Sequence, residues 1–129
     1  MLLDTSVLIE VERDGFDLDA LIRDDDEPAI AAITVAELGV GVEIASGKRK
    51  SARRLFLDEV IATLPIVDYD IEVARAHTAL LVAVRKRGMP RGAHDLIIAA
   101  TARATARTVV TAYRAGFVDL PGVVVRLPA

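Results

Sequence analysis

The chain has no cysteine, so neither a disulfide nor a thiolate metal site is available to it. Aromatic residues make up only 4% of it. Packing therefore falls to Ala, Val, Ile and Leu, within an apolar fraction of 53% that exceeds the globular average. No uncharged run approaches the length of a membrane span. The N-terminus lacks a basic region and carries Asp4 and Glu10 within its apolar stretch, so no signal peptide is expected. These absences point to a cytoplasmic protein with no membrane partner. There is no Gly-rich phosphate loop, no internal repeat, no low-complexity tract and no linker. A net charge of −3 argues against an all-over nucleic-acid binder, while leaving room for a basic patch around an acidic site. The 129 residues suit a single domain spanning 1–129.

What the chain does have begins at once. Met1, Leu2 and Leu3 form a short apolar strand that runs straight into Asp4. Burying a carboxylate at the end of a core strand costs several kcal/mol unless a cation or a set of donors faces it, by the order of magnitude for unpaired buried charge. In parallel α/β sheets the carboxyl ends of the strands are where ligands bind.

After Asp4, a helix is expected from Val7, capped by Thr5 or Ser6 and broken at Gly15. Asp17 is placed to cap a second, short helix. The run Asp24-Asp25-Asp26-Glu27 reads as a solvated loop rather than a metal site. Pro28 to Ile33 reads as a buried strand. Thr34 and Glu37 then fit a capping box opening the next helix, in which Gly39 and Gly41 suggest close backbone packing. A basic helix follows, with Lys48, Arg49, Lys50, Arg53 and Arg54. Leu64 to Val67 is a short strand. Asp70 caps a helix that runs to about Arg87 and ends at Gly88. His77 falls on its apolar face, where a hydrogen-bonded, half-buried histidine is expected. The stretch from Ala93 to Ala102 is small or apolar nearly all round, so it should be central and buried. Asp95 lies in its first turn, where the helix dipole favours an ionised carboxylate. Thr108 to Thr111 and Val123 to Leu127 complete the strands.

Strands alternate with helices, which implies an α/β fold: a three-layer α/β/α sandwich around a central parallel sheet. Right-handed crossovers then bring Asp4, Glu37 and Asp95 to one edge of that sheet. Three carboxylates at one edge repel one another unless a cation sits among them. Mg²⁺ or Mn²⁺ suits an all-oxygen set with few protein ligands and several waters. Such an ion activates water and stabilises charge on a phosphate under attack.

Three segments carry a resemblance: Leu3-Asp4-Thr5-Ser6-Val7-Leu8-Ile9; Thr34-Val35-Ala36-Glu37-Leu38 with Gly41; and His94-Asp95-Leu96-Ile97-Ile98-Ala99-Ala100-Thr101-Ala102. In order and at this spacing they resemble the signatures of the PIN domain, and more closely those of the VapC ribonuclease toxins of prokaryotic toxin–antitoxin systems. The resemblance covers nearly the whole chain. It implies a Mg²⁺- or Mn²⁺-dependent endoribonuclease acting on tRNA or ribosomal RNA. It also implies a homodimer and a small cognate VapB-like antitoxin as partner. Asp4, Glu37 and Asp95 would be the catalytic and metal-binding acids, with Ser6 and Thr111 supporting them by hydrogen bonds. The segments Lys48 to Arg54 and Arg85 to Arg91 are candidate RNA contacts.

One departure stands out. The family pattern Thr-x-Asn-x-x-Asp-Phe falls on Thr111 to Phe117, with Tyr113 in place of Asn and Gly116 in place of Asp. The nearest acid is Asp119, expected to lie in solvent between the anchoring Phe117 and Leu120. A carboxylate restored at 116 is expected to tighten metal binding. Two other readings compete with the nuclease. A weakly active or inactive PIN-like binding module would simply engage an antitoxin. A phosphotransfer or phosphatase domain would use Asp4 as nucleophile, but Ser6 occupies the place where that chemistry wants a second Asp.

Overall fold

Residues 1–15, 17–21 and 27–128 are described by the computed structural model. Its strands are only two residues each: β1 (Leu2–Leu3), β2 (Ile30–Ala31), β3 (Ile66–Val67), β4 (Val109–Val110) and β5 (Val125–Arg126). All pair in parallel, β1 with β4, β4 with β5, and β2 with β3. A bridge between Leu2 and Ala29 joins the two groups, so the order across the sheet is β3-β2-β1-β4-β5. Asp24, Asp25 and Asp26 of the acidic run lie outside the described residues.

Ladders this short hold because successive side chains enter opposite cores. Leu2, Ala29, Ala31 and Val109 face one apolar cluster; Leu3, Ile30 and Val110 face the other. The first cluster is closed by α5 (Ile71–Arg87), α6 (Ala93–Ala104) and the loop residues Phe117 and Leu120. The second is closed by α1 (Thr5–Asp14), α3 (Ala32–Ile44) and α4 (Gly47–Thr63), through Val7, Leu8, Leu38, Phe56 and Val60. Leu2 and Leu3 are both fully buried. Each contributes about 1.5–3 kcal/mol through burial, so side-chain packing outweighs ladder length in fixing β1.

Local signals explain several helix ends. Gly15 and Gly88 end α1 and α5 in the left-handed conformation, with φ of 69° and 61°. Asp70 Oδ1 accepts from the Val73 N–H at 2.9 Å and caps α5. Asp17 Oδ1 accepts from the Asp19 N–H at the start of α2 (Leu18–Leu21). α6 is buried along most of its length. His77 is half-buried, and its Nδ1 lies 2.8 Å from the Tyr69 hydroxyl.

Two helix starts differ from expectation. α1 begins at Thr5, with Asp4 rather than Thr5 or Ser6 as the flanking residue and no side-chain cap. α3 begins at Ala32, two residues before Thr34, again with no side-chain cap. The Thr34–Glu37 pair therefore forms no capping box, and the strand expected through Ile33 stops at Ala31. The helix can start early because Ala32 has no side chain that resists helical geometry. Close packing at Gly39 is not seen either: among the described residues, and its own helix backbone apart, nothing lies within 4 Å of where its Cβ would be. At Gly41 the carbonyl accepts from Arg53 Nη1 at 2.8 Å, so it is α4 that approaches there.

Candidate active site

The carboxyl ends of β1, β2 and β4 lie side by side in the sheet, so the residues after them share one edge. Asp4 follows β1 and is only 4% exposed. Its Oδ2 accepts from Ser6 Oγ at 2.6 Å and from Thr111 Oγ1 at 2.8 Å. Thr111 follows β4 and is fully buried. Both hydroxyls are themselves aimed: Ser6 Oγ accepts from the Ala112 N–H at 3.2 Å, and Thr111 Oγ1 from the Tyr113 N–H at 2.9 Å. A backbone N–H thus holds each hydroxyl oxygen in place while its proton is donated to the carboxylate. A buried carboxylate requires such a set of donors.

Glu37 sits in the second turn of α3, not at its cap. Its Oε1 accepts from Thr5 Oγ1 at 2.8 Å, and Thr34 Oγ1 lies 3.0 Å from that same hydroxyl. Its Oε2 stands 3.4 Å from His94 Nδ1. Thr5 and Thr34 therefore orient Glu37, a part the sequence assigned to neither. Their signal was available: each is a hydroxyl residue in the first turn of a helix that leaves a buried strand. His94, next to Asp95, was also passed over.

Asp95 lies in the first turn of α6, whose flanking residue Gly92 makes no side-chain cap. Its pKa is raised, first by burial and then by the charges of Asp4 and Glu37; the neighbouring His94 works in the other direction. Burial and the two acids thus work against the dipole at the helix N-terminus, which favours the charged form. Asp95 thus feels the charge of both other expected acids. Among the described residues, however, no three His, Asp or Glu side chains stand together as a ready metal cluster.

Gly116 is buried against Asp95. A Cβ there would lie 2.8 Å from Asp95 Oδ2 and 3.3 Å from Tyr113 Cδ1. A side chain at 116 would therefore press on the end of the Asp95 side chain, which would have to shift. Asp119 is exposed and has φ of 64°, and its carbonyl accepts from Arg87 Nη1 at 2.6 Å. Phe117 and Leu120 on either side of it are buried.

The basic segments are partly engaged within the fold. Arg54 and Lys50 pair with Glu43, and Arg53 holds the Gly41 carbonyl. Arg87 and Arg91 hold the carbonyls of Asp119 and Val118. Lys48, Arg49, Arg85, Lys86 and Arg114 are exposed.

The sequence model of the PIN domain matches residues 1–119. The chain belongs to the PIN domain family. Among relatives of this PIN domain, ribonuclease VapC5 of Mycobacterium tuberculosis is 38% identical over 110 residues, 84% of this chain and 79% of the relative. Toxin FitB of Neisseria gonorrhoeae is 36% identical over 121 residues, 86% of each chain. The crystal structure of VapBC2 from Rickettsia felis, bound to a promoter DNA fragment, superposes with a TM-score of 0.86 at 26% identity. That match covers 98% of this PIN domain and 96% of the solved chain. No helix among the described residues is long and apolar enough to cross a membrane.

Proposed function

We propose that this PIN domain is a Mg²⁺- or Mn²⁺-dependent endoribonuclease toxin of a VapBC-type toxin–antitoxin module. Its target class is structured RNA, tRNA or ribosomal RNA, and a VapB-like antitoxin neutralises it. The observation that carries the reading is the arrangement at the carboxyl edge of the sheet, where Ser6 and Thr111 hold Asp4, Thr5 holds Glu37, and Asp95 lies close enough to both acids to feel their charge. Three acids on separate elements gathered at the ligand-binding edge of a parallel sheet form a costly arrangement without a counter-charge.

The donor set fits a hydrated divalent ion. All its donors are hard oxygens, and such ions take one or two carboxylates directly and complete their shell with water. It does not fit a closed all-protein cage. Asp4, Asp95 and Glu37 would hold the ion. When bound, it would supply an activated water and stabilise negative charge on the phosphate under attack.

The chain's own residues prepare for this. Ser6 and Thr111 fix the Asp4 carboxylate by two short hydrogen bonds, so one oxygen is held and the other left for a ligand. Thr5 fixes Glu37 in the same way through Oε1. Lys48, Arg49, Arg85 and Lys86 remain available for RNA phosphates. An antitoxin that places an arginine at the acidic edge would meet carboxylates matched to its two-pronged guanidinium.

Purified protein incubated with labelled total RNA in Mg²⁺, in Mn²⁺ and in EDTA tests the proposal. Cleavage with either metal and none in EDTA is the expected result. No cleavage under any condition, with intact antitoxin binding, would favour the second reading. In that reading the chain is an inactive module that engages an antitoxin, and the absence of an acid at 116 supports it.

A further inference from the structure

Five aromatic residues are few for a chain of this size, and most of the described ones are engaged. Phe117 is fully buried, Phe56 packs against the second core, and Tyr69 bonds His77. Tyr113 is different. It is 59% exposed, and its hydroxyl makes no hydrogen bond among the described residues. Single exposed aromatics are common on protein surfaces. This one is tethered to the acidic site at two points. Its backbone N–H donates to Thr111 Oγ1, which in turn donates to Asp4. Its ring edge and the Asp95 carboxylate flank a single position, the missing Cβ of Gly116, at 3.3 and 2.8 Å. The backbone is therefore locked to one carboxylate while the ring stands beside another. Arg114, next in the chain, is exposed and has no ion pair or side-chain hydrogen bond among the described residues.

We infer that the Tyr113 ring is a stacking platform for a nucleobase of the RNA strand whose phosphate lies at the Asp4–Asp95 edge. A base attached to that phosphate, or to the next one, meets the ring; a flat aromatic face accepts any base, so the platform positions the strand without reading its sequence. An unpaired base is needed, because a base inside a helix has no free face. The site therefore selects single-stranded loops over duplex. The inference rests on the ribonuclease reading above.

The chain has two tyrosines and no tryptophan, so its ultraviolet emission reports Tyr69 and Tyr113 alone. A single-stranded oligoribonucleotide titrated in EDTA should quench wild-type emission. Tyr69→Phe should keep the quench. Tyr113→Phe should lose it yet bind with an affinity within about twofold by anisotropy, because the phenyl ring still stacks. Tyr113→Leu should weaken binding about ten-fold or more and raise KM far more than it lowers kcat. Quenching that persists in Tyr113→Phe, or wild-type affinity in Tyr113→Leu, overturns the stacking role while leaving the ribonuclease reading in place. A wild-type protein that neither binds nor cleaves RNA overturns both.

Discussion

Gly116→Ala separates the chemistry of the site from the stability of the fold. The backbone at 116 is not in the left-handed region, so alanine meets no conformational barrier there. Its Cβ would stand 2.8 Å from Asp95 Oδ2, about 0.6 Å inside ordinary contact distance. The obstacle is the end of a side chain, and Asp95 can rotate away. Pushing a side chain off its rotamer costs about 0.5–1.5 kcal/mol. Losing a glycine from the unfolded chain returns about 0.4–1 kcal/mol. The two nearly offset, so the melting temperature should fall by no more than about 4 °C. The carboxylate, however, must move by roughly half an ångström or more. Misplacement of about 1 Å in a reacting group costs on the order of a hundredfold. Cleavage should therefore drop at least about ten-fold in kcat/KM, and Mn²⁺ affinity by calorimetry should weaken. Thermal melts and RNA cleavage measured on the same preparation decide the matter. Wild-type cleavage in a stable Gly116→Ala protein would show that Asp95 does not act where it stands. A collapse in stability would show that the contact is structural.

Asp4→Asn and Asp95→Asn should each abolish cleavage in metal-limited assays and leave the circular dichroism spectrum unchanged. Asp95→Asn should also change the pH profile of stability. Because the folded-state pKa of Asp95 is raised, the folded protein keeps a proton that the unfolded chain has already lost. Stability therefore declines as pH rises from about 4 through the raised value, and the asparagine variant lacks that decline. Urea midpoints for the two proteins should accordingly agree best at pH 3.5 and diverge, in favour of the variant, toward neutrality; a constant gap would count against the assignment. Glu37→Gln should reduce cleavage far more than stability, because Glu37 caps nothing and bonds through a hydroxyl that glutamine can still accept. Asp119→Ala should leave Mn²⁺ affinity nearly unchanged in the same titration, since that side chain is exposed and its loop is held through backbone carbonyls.

The sequence by itself determined the alternation of strands and helices, the buried α6, the caps at Asp70 and Gly88, and the convergence of Asp4, Glu37 and Asp95 on one edge. These follow from patterns within a few residues: apolar runs, capping side chains and the rule that parallel strands share an active edge. The true starts of α1 and α3 were not legible, because a helix can open without a side-chain cap when the strand before it fixes its entry. The hydrogen bonds from Ser6 and Thr111 to Asp4 were expected, whereas the bond from Thr5 to Glu37, across 32 residues, was not. Only the tertiary structure decided which way the Asp95 carboxyl titrates. Its helix position favours the charged form, but burial beside two other carboxylates opposes it more strongly, and both opposing effects depend on distances that the chain acquires on folding. The same holds at Gly116, where the sequence shows a missing acid and the fold shows the Asp95 carboxylate 2.8 Å from where a Cβ would stand.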